Sequence, residues 1–241
     1  MMNNVSVLII AHNEEENIAR CIESVLNQTQ KATEIVVVCH NCTDGTETIA
    51  KGYSEVTALS FVGPAGITHA RMHGLAYVHG DIVLCIDGDS YASRTWIQDM
   101  TSALGKGAVL VATWVKFVGN TFSRISNIWN RYSCVHSHNP SRWVWGASFG
   151  FWAKDKSYVE EVFKKIYKLS QEIGLSRNVD DYWLALHMQE RGSIRIINTS
   201  WVTNHTKEHS SIAAIRRNRE NNRNALRMET WWKSKGDILH S

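Results

Sequence analysis

Two aspartates separated by one residue close an apolar stretch near the middle of the chain. Residues 80–90 read Gly-Asp-Ile-Val-Leu-Cys-Ile-Asp-Gly-Asp-Ser, so Asp87 and Asp89 follow a strand-like run. In an open α/β sheet, ligands bind beyond the carboxyl ends of the strands. Carboxylates hold hard cations such as Mg²⁺ or Mn²⁺, which keep positions for phosphate oxygens. The pair therefore predicts a site for a divalent cation and a nucleoside diphosphate, unless Ser90 and Ser93 only begin the next helix.

The elements that would position these acids alternate along the first half of the chain. Asn13 and Glu16 read as the N-cap and capping-box partner of a first helix, and residues 43–46 open a second helix. A third helix begins at Gly66. The apolar runs of strand length lie at residues 5–11, 34–39, 59–62 and 82–86. This alternation predicts a mostly parallel sheet that is covered by helices on both sides.

The second half of the chain is less regular. Strands are predicted at 108–114, 144–152 and 194–202, and helices at 122–134 and 180–191, the latter closed by Gly192. Aromatic residues concentrate between Trp129 and Trp152. They favour a second lobe that is strongly packed, or one shaped to stack on sugar rings.

The central stretch resembles a family signature. Ala70-Arg71-Met72-His73-Gly74, His79-Gly80-Asp81 and Asp87-Gly88-Asp89 are similar to the A-R-N-x-G, A-x-G-D and D-x-D motifs of nucleotide-sugar glycosyltransferases with the GT-A fold, especially the inverting family 2. The resemblance runs in order from residue 5 to about residue 205. It implies an α/β GT-A fold with a mostly parallel central sheet and flanking helices.

The resemblance implies a nucleoside site made by two loops. The first-strand turn supplies Ala11, His12, Asn13 and Glu14, and the loop from His40 and Asn41 through Thr46 resembles N-x-S-T-D-G-T with Cys42 in place of Ser. The family often carries an acidic pair just before this loop, one member of which reads the base. Cys39 and His40 occupy those positions here, so the donor base stays open.

The resemblance also implies how the rest of the donor is held. Arg71 would lie near the diphosphate, Asp87 and Gly88 near the ribose or the water shell of the metal, and Asp89 would ligate the metal directly. His205 lies where many relatives place a histidine near the metal or diphosphate, although a structural role is the alternative. A divalent cation and a nucleotide-sugar are thus expected as cofactor and donor substrate.

On the acceptor side, residues 178–187 resemble the E-D-x-x-L motif, with Asp181 as its second acid. An inverting transfer needs a carboxylate that takes the proton of the acceptor hydroxyl, which makes Asp181 the candidate base. The alternative is that Asp180 or Asp181 only caps the helix. Gly146-Ala147-Ser148 resembles the small-residue turn where the acceptor approaches. The Q-x-x-R-W motif of processive members is not found, which favours a single transfer.

Length and composition bound the remaining expectations. The 241 residues, 44% of them hydrophobic, suit one domain over 1–241, with a donor half (1–105), an acceptor half (106–205) and a basic segment (206–241). No apolar run approaches 18 residues and no basic flank precedes residues 5–11, so a cytoplasmic location is expected. Five scattered cysteines predict reduced thiols, and the C-x-x-C at Cys39–Cys42 reads as coincidence rather than a zinc or redox site.

The basic segment carries most of the charge asymmetry. Residues 207–235 hold eight Lys or Arg against three Glu, whereas the whole chain has a formal charge of +3. These cations could contact lipid headgroups, an anionic acceptor, or the donor diphosphate. Contact with lipid would place the protein peripherally at the inner face of the membrane. The alternative is a solvated helix face. A nucleic-acid partner is not expected.

These observations favour a metal-dependent inverting glycosyltransferase. It would move one sugar from a nucleotide-sugar to a hydroxyl of a saccharide or lipid-linked acceptor, in surface glycan or lipid-linked saccharide synthesis. A sugar-phosphate nucleotidyltransferase is the first alternative, but it would want a Gly-rich basic loop where residues 12–16 are acidic and lack glycine. A noncatalytic carbohydrate-binding relative of the fold is the second.

Overall fold

The computed structural model of the protein describes residues 3–118, 127–128, 131–132, 144, 146–174, 180–204, 220, 223–224, 226–227 and 230. In chain order, the strands are β1 (Val5–Ala11), β2 (Glu34–His40), β3 (Thr57–Phe61), β4 (Ile82–Asp87), β5 (Ser90–Ala92), β6 (Ala108–Phe117), β7 (Ser148–Trp152) and β8 (Ser193–Asn204). The helices are α1 (Ile18–Leu26), α2 (Thr46–Lys51), α3 (Ile67–Leu75), α4 (Trp96–Gly105), α5 (Lys156–Glu172) and α6 (Asp180–Arg191).

The eight strands form one sheet in the order β3-β2-β1-β4-β7-β6-β8-β5. The first four neighbours are parallel, β6 and β8 are parallel, and β7 and β5 run against their neighbours. The predicted α/β architecture with a mostly parallel sheet is confirmed. Its topology brings the carboxyl ends of β1, β2 and β4 to one edge, where ligands bind in such sheets.

The helices cover both faces of the sheet, and all residues of β1 and β4 except Asp87 are buried. Alternate residues of β1 fall into two cores: Leu8 and Ile10 pack toward α3, α5 and α6, whereas Val7 and Ile9 pack toward α1, α2 and α4. Trp96, at the start of α4, is fully buried in the second core. This two-sided burial fixes the register of the central strands and hence the position of Asp87.

Three local predictions differ from the structure. Asn13 does not cap α1, since the helix begins at Ile18 after a turn in which the amides of Asn17 and Ile18 both bond Glu14 O. Residues 90–92 form β5, so Ser90 belongs to a strand paired with β8 and not to a helix. The 17-residue helix α5 was not predicted, although Val159, Val162, Phe163 and Ile166 bury one face at helical spacing.

Of the helix predicted at 122–134, the described residues 127–128 and 131–132 are helical, and the rest lies outside the described residues. Among the helices described, none is both long and apolar enough to cross a bilayer. The division into one domain with two halves and a basic segment stays a prediction.

Candidate active site

The Asp-x-Asp turn is held against the end of the first strand. Ile10 lies opposite Asp87 in the parallel register of β1 and β4, and the Gly88 amide donates to Ile10 O at 2.8 Å. A Cβ on Gly88 would lie 2.9 Å from the Cβ of Ala11, closer than folded proteins allow. The backbone therefore passes the first strand so closely that only glycine fits between the two aspartates.

A cavity of about 340 Å³ opens beside this turn. Seven of the predicted donor residues line it, together with four that sequence reasoning missed. The predicted ones are His12, Glu14, His40, Asn41, Asp87, Gly88 and Asp89, and the others are Ile10, Ala65, Gly66 and Ile67. Gly66 has φ 132°, which L-residues rarely adopt. Gly66, just before α3, is therefore the residue from which the sequence could have indicated that backbone lines this part of the cavity.

Ala11 and Asn13 lie beside the cavity lining and join its two loops. Asn13 has a left-handed φ of 54°, and its Oδ1 accepts the Thr43 amide at 2.8 Å. Asn41 has φ 51° and exchanges two side-chain hydrogen bonds with the backbone of Gly63 at 3.0 and 3.1 Å. Both asparagines thus fix the loops through side-chain bonds to residues on other loops. Asparagine tolerates the left-handed region better than most L-residues. Their contact with a nucleoside stays a prediction.

The His40 side chain is buried at the cavity wall and belongs to an aromatic stack. Its ring centroid lies 5.2 Å from that of Phe61, which in turn stacks on His73 at 4.1 Å. His12 Nδ1 lies 2.8 Å from His40 O. Burial is the main cause that lowers the pKa of His40, and the neighbouring histidines add to it. His40 therefore presents a neutral imidazole at neutral pH.

Asp89 is oriented by a residue that the sequence did not single out. Asn204, the last residue of β8, donates its amide to Asp89 Oδ1 at 2.7 Å and to Ser90 Oγ at 2.8 Å. The Ser90 hydroxyl donates to the same carboxylate at 3.0 Å. His205, which follows Asn204 and is the predicted metal ligand, lies outside the described residues. The antiparallel pairing of β5 with β8 brings Asn204 to this point.

The carboxylates at this edge fit a divalent cation. Burial, then the negative charges of Asp89 and Asp180, raise the pKa of Asp87 to about 6 against the opposing effect of Arg71. A cation between Asp87 and Asp89 would relieve this repulsion. No three His, Cys, Asp or Glu residues cluster as ligands within the described ranges. Mg²⁺ and Mn²⁺ need only one or two carboxylates beside water and phosphate oxygens.

Arg71 connects the donor side of the site to the acceptor side. Its side chain is fully buried on α3; Nη2 donates to Asp87 Oδ1 at 3.1 Å and to Gly146 O at 2.8 Å, and Nη1 donates to Asp180. The guanidinium also lies 5.1 Å from the Phe149 ring. These bonds engage both Nη groups, whereas the buried Nε has no hydrogen-bond partner among the described residues. Arg71 lies outside the lining of the cavity, and its predicted contact with the diphosphate stays a prediction.

Asp181 stands at the beginning of α6 and faces the same network. Its Oδ2 accepts the Gly146 amide and its Oδ1 accepts the Tyr182 amide, both at 2.8 Å. Burial, followed by the charge of Asp180, raises the pKa of Asp181 to about 6, although both amides and Arg71 act in the opposite direction. Such a carboxyl is ionised at neutral pH and basic enough to accept a proton. Asp180, in contrast, is committed to Arg71.

The four described cysteines, Cys21, Cys39, Cys42 and Cys85, carry free thiols. Burial is the main cause that raises the pKa of Cys39 to about 12, which disfavours the thiolate that redox exchange requires. The interpretation of the C-x-x-C as coincidence stays a prediction. Cys134 lies outside the described residues.

Comparison with known proteins assigns the family. The sequence profile described as Glycosyl transferase family 2 matches residues 6–163. The chain is 33% identical over 120 residues to glycosyltransferase AglE of Haloferax volcanii, covering 47% of this chain and 40% of that protein. It is 33% identical over 106 residues to the uncharacterized glycosyltransferase YibD of Escherichia coli, covering 42% and 31%. The matched part thus spans less than half the length of these relatives.

Solved structures agree on the fold. S. aureus TarS, crystallised in complex with UDP, superposes with a TM-score of 0.60 at 16% identity, covering 83% of this chain and 60% of that one. Glucosyl-3-phosphoglycerate synthase from Mycobacterium tuberculosis, crystallised with Mg²⁺ and UDP, gives 0.58 at 17% identity, covering 87% and 72%. The α/β fold of this chain is accordingly the GT-A fold. The chain belongs to glycosyl transferase family 2.

Proposed function

We propose that this chain is a glycosyltransferase that moves one sugar from a nucleotide-sugar to an acceptor hydroxyl with inversion. Asp87 and Asp89 would hold a divalent cation, whose charge would favour the departure of the nucleoside diphosphate. The observation that carries the proposal is the Arg71 network. It joins Asp87, at the edge of the cavity, to Gly146 and Asp180 beside Asp181. A donor-side carboxylate and a proton acceptor are thereby held in one rigid frame.

In this reaction each side chain has a separate task. The cavity lined by His12, Glu14, His40 and Asn41 holds the nucleoside. Asp181, ionised at neutral pH, takes the proton of the acceptor hydroxyl as the oxygen attacks the anomeric carbon from the face opposite the leaving group. The Gly146 and Tyr182 amides orient its two oxygens. A cation bound by Asp87 and Asp89 would neutralise charge on the departing diphosphate.

The acceptor is proposed to be a saccharide or lipid-linked saccharide of a surface glycan pathway. The named relatives are glycosyltransferases, and the basic residues between Lys207 and Lys235 suit an anionic acceptor or a membrane surface at the cytoplasmic face. Membrane contact rests on the charge of the sequence.

The decisive experiment pairs ligand binding with product analysis. We expect UDP or another nucleoside diphosphate to raise the melting temperature only when Mn²⁺ or Mg²⁺ is present, because a ligand that binds the native state stabilises it by mass action. The nucleotide that gives the largest shift identifies the base. Product NMR on the same donor should then show an inverted anomeric centre; a retained configuration contradicts the assignment of Asp181 as base.

Assays on the same purified protein distinguish the two alternative functions. A nucleotidyltransferase would release pyrophosphate from a nucleoside triphosphate, whereas the first loop, with Glu14 on the cavity wall, presents negative charge where a triphosphate would lie. A noncatalytic relative would bind the nucleotide-sugar without cleaving it. Slow metal-dependent hydrolysis of the donor, without any acceptor, would exclude the noncatalytic role.

A further inference from the structure

A second cavity, of about 360 Å³, lies on the pair of strands β6 and β8. It shares no lining residue with the cavity beside Asp89. Its described walls consist of two tryptophans, two basic residues and two small polar residues, namely Trp114, Trp201, Lys116, Arg131, Asn198 and Thr199. Neither the donor nor the proton transfer described above uses any of these side chains.

A large irregularity in β8 produces this second cavity. The pairing of β6 with β8 moves from Thr113↔Ile197 to Trp114↔Trp201, so residues 198–200 have no partner on β6. Such a bulge bends a strand and re-aims its side chains. Here it sets the rings of Trp114 and Trp201 side by side, with centroids 6.0 Å apart at 40°. The result is an aromatic wall on the surface of the sheet.

The chemistry of the second cavity is aromatic and cationic. The guanidinium of Arg131 lies 5.6 Å from the Trp114 ring centroid, and Lys116 stands two residues further along β6, on the same face. None of its described lining residues is acidic. Trp114 is only 8% exposed and its Nε1–H is buried, with no hydrogen-bond partner among the described residues, whereas the Trp201 side chain is 36% exposed. The cavity thus offers an aromatic face and two positive charges.

The position of the second cavity relates it to both halves of the active site. Trp201 precedes Asn204, which orients Asp89, by three residues, or roughly 10 Å along a strand. On the other strand, Thr113 donates to Ser148 at 2.8 Å, two residues after the Gly146 amide that binds Asp181. Alternation along β6 also puts Trp114 on the face where Ala112 packs, which α6 covers.

We propose that this second cavity binds an anionic sugar unit of the acceptor, one that lies apart from the unit whose hydroxyl reacts. The ring would stack on Trp201 beside Trp114, and the carboxylate or phosphate would pair with Lys116 and Arg131. The inference rests on the proposed transfer to a saccharide and names the class of saccharide. A neutral sugar would leave both cations unpaired by the ligand.

The test observes the indole groups directly. ¹H–¹⁵N spectra of the full chain are recorded while glucuronic acid, glucose 6-phosphate or glucose is added, and the cross-peaks are assigned with Trp114→Phe and Trp201→Phe. We expect both anionic sugars to shift the Trp114 and Trp201 indole peaks, with glucose binding at least about tenfold more weakly. Trp201→Ala and Lys116→Met should each raise the Kd about fivefold or more. Lys106→Met, an exposed lysine at the end of α4, should leave it unchanged.

Three results would overturn the proposal. In the first, the two indole peaks stay in place at saturating sugar. In the second, the anionic and neutral sugars bind equally. In the third, inorganic phosphate alone binds as well as glucose 6-phosphate, which would make the cavity a simple anion site. Because no donor is present, these outcomes do not depend on sugar transfer. Failure of the proposed function would appear instead in the metal-dependent melting shift and the product NMR.

Discussion

Replacing Asp181 with asparagine should lower the transfer rate by roughly a hundredfold or more, the scale for a positioned general base, while the protein stays folded. The amide has the shape of the carboxylate but cannot take the proton of the acceptor hydroxyl. Donor binding should be retained, because Asp181 is absent from the lining of the donor cavity. The change thus separates catalysis from folding and from binding.

The raised pKa of Asp181 sets the expected change in the free energy of unfolding for Asp181→Asn. Burial and Asp180 raise the pKa of Asp181 from 3.8 to about 6, so holding it ionised at pH 7 destabilises the folded state by about 2 kcal/mol after allowance for its partial exposure. Asparagine removes that penalty. That figure already contains the two favourable bonds from the Gly146 and Tyr182 amides, which lower the pKa. The asparagine variant should therefore be at least as stable as the unmodified protein, by up to about 2 kcal/mol.

The assay combines turnover, donor affinity by calorimetry and urea denaturation of the same preparations. Glu172→Gln, which removes an exposed carboxylate on α5, serves as the matched control and should behave like the unmodified protein. Because the folded-state pKa is raised, Asp181 binds its proton as pH falls through about 6, and activity should decline there. In the asparagine variant only the part of the decline that comes from Asp87, whose pKa is also raised to about 6, should remain. Wild-type turnover of Asp181→Asn would refute the role and leave helix capping as its explanation.

Three further changes test other parts of the site. Asp89→Ala should abolish the metal-dependent component of nucleoside diphosphate binding, and unchanged calorimetric affinity with Mn²⁺ would remove the metal assignment. Gly146→Ala should destabilise the protein by about 1–3 kcal/mol, because the new Cβ would lie 2.8 Å from Arg71 Nη2, whereas Gly105→Ala meets nothing within 4 Å and should be neutral or slightly stabilising in urea titrations. Truncation after Thr206 should reduce turnover with the physiological acceptor, and full activity of a folded truncated protein would show that the basic segment is dispensable.

The parts of the fold that could be predicted are those in which local pattern and burial agree. β1 occupies the residues that its apolar run indicates, and α6 begins at Asp180 and ends at Arg191 as predicted. In both, the side-chain pattern alone specifies the element. The false cap at Asn13 arose because its side chain bonds a residue 30 positions away, on another loop. No sequence window contains that partner.

The same distinction applies to the site. Asp87, Asp89 and Asp181 could be named because their motifs are short and ordered along the chain. Asn204 could not, since its role depends on the pairing of β8 with β5, which joins residues more than 100 positions apart. The partnership of Arg71 with Asp180 spans 109 positions for the same reason. Contacts that arise from sheet topology remain invisible until the topology is known.

The balance of charge around Arg71 links these findings to the need for a cation. Asp87, Asp180 and Asp181 surround a single guanidinium, with Asp89 beside Asp87, and the pKa values of Asp87 and Asp181 are raised in spite of Arg71. Arg71 therefore does not neutralise the cluster, and a nucleoside diphosphate, itself an anion, would be repelled from the cavity. A divalent cation at Asp87 and Asp89 would reverse the sign of that edge. Because neutral backbone amides of Gly146 and Tyr182 hold the Asp181 carboxylate, its charge can stay available for the proton of the acceptor.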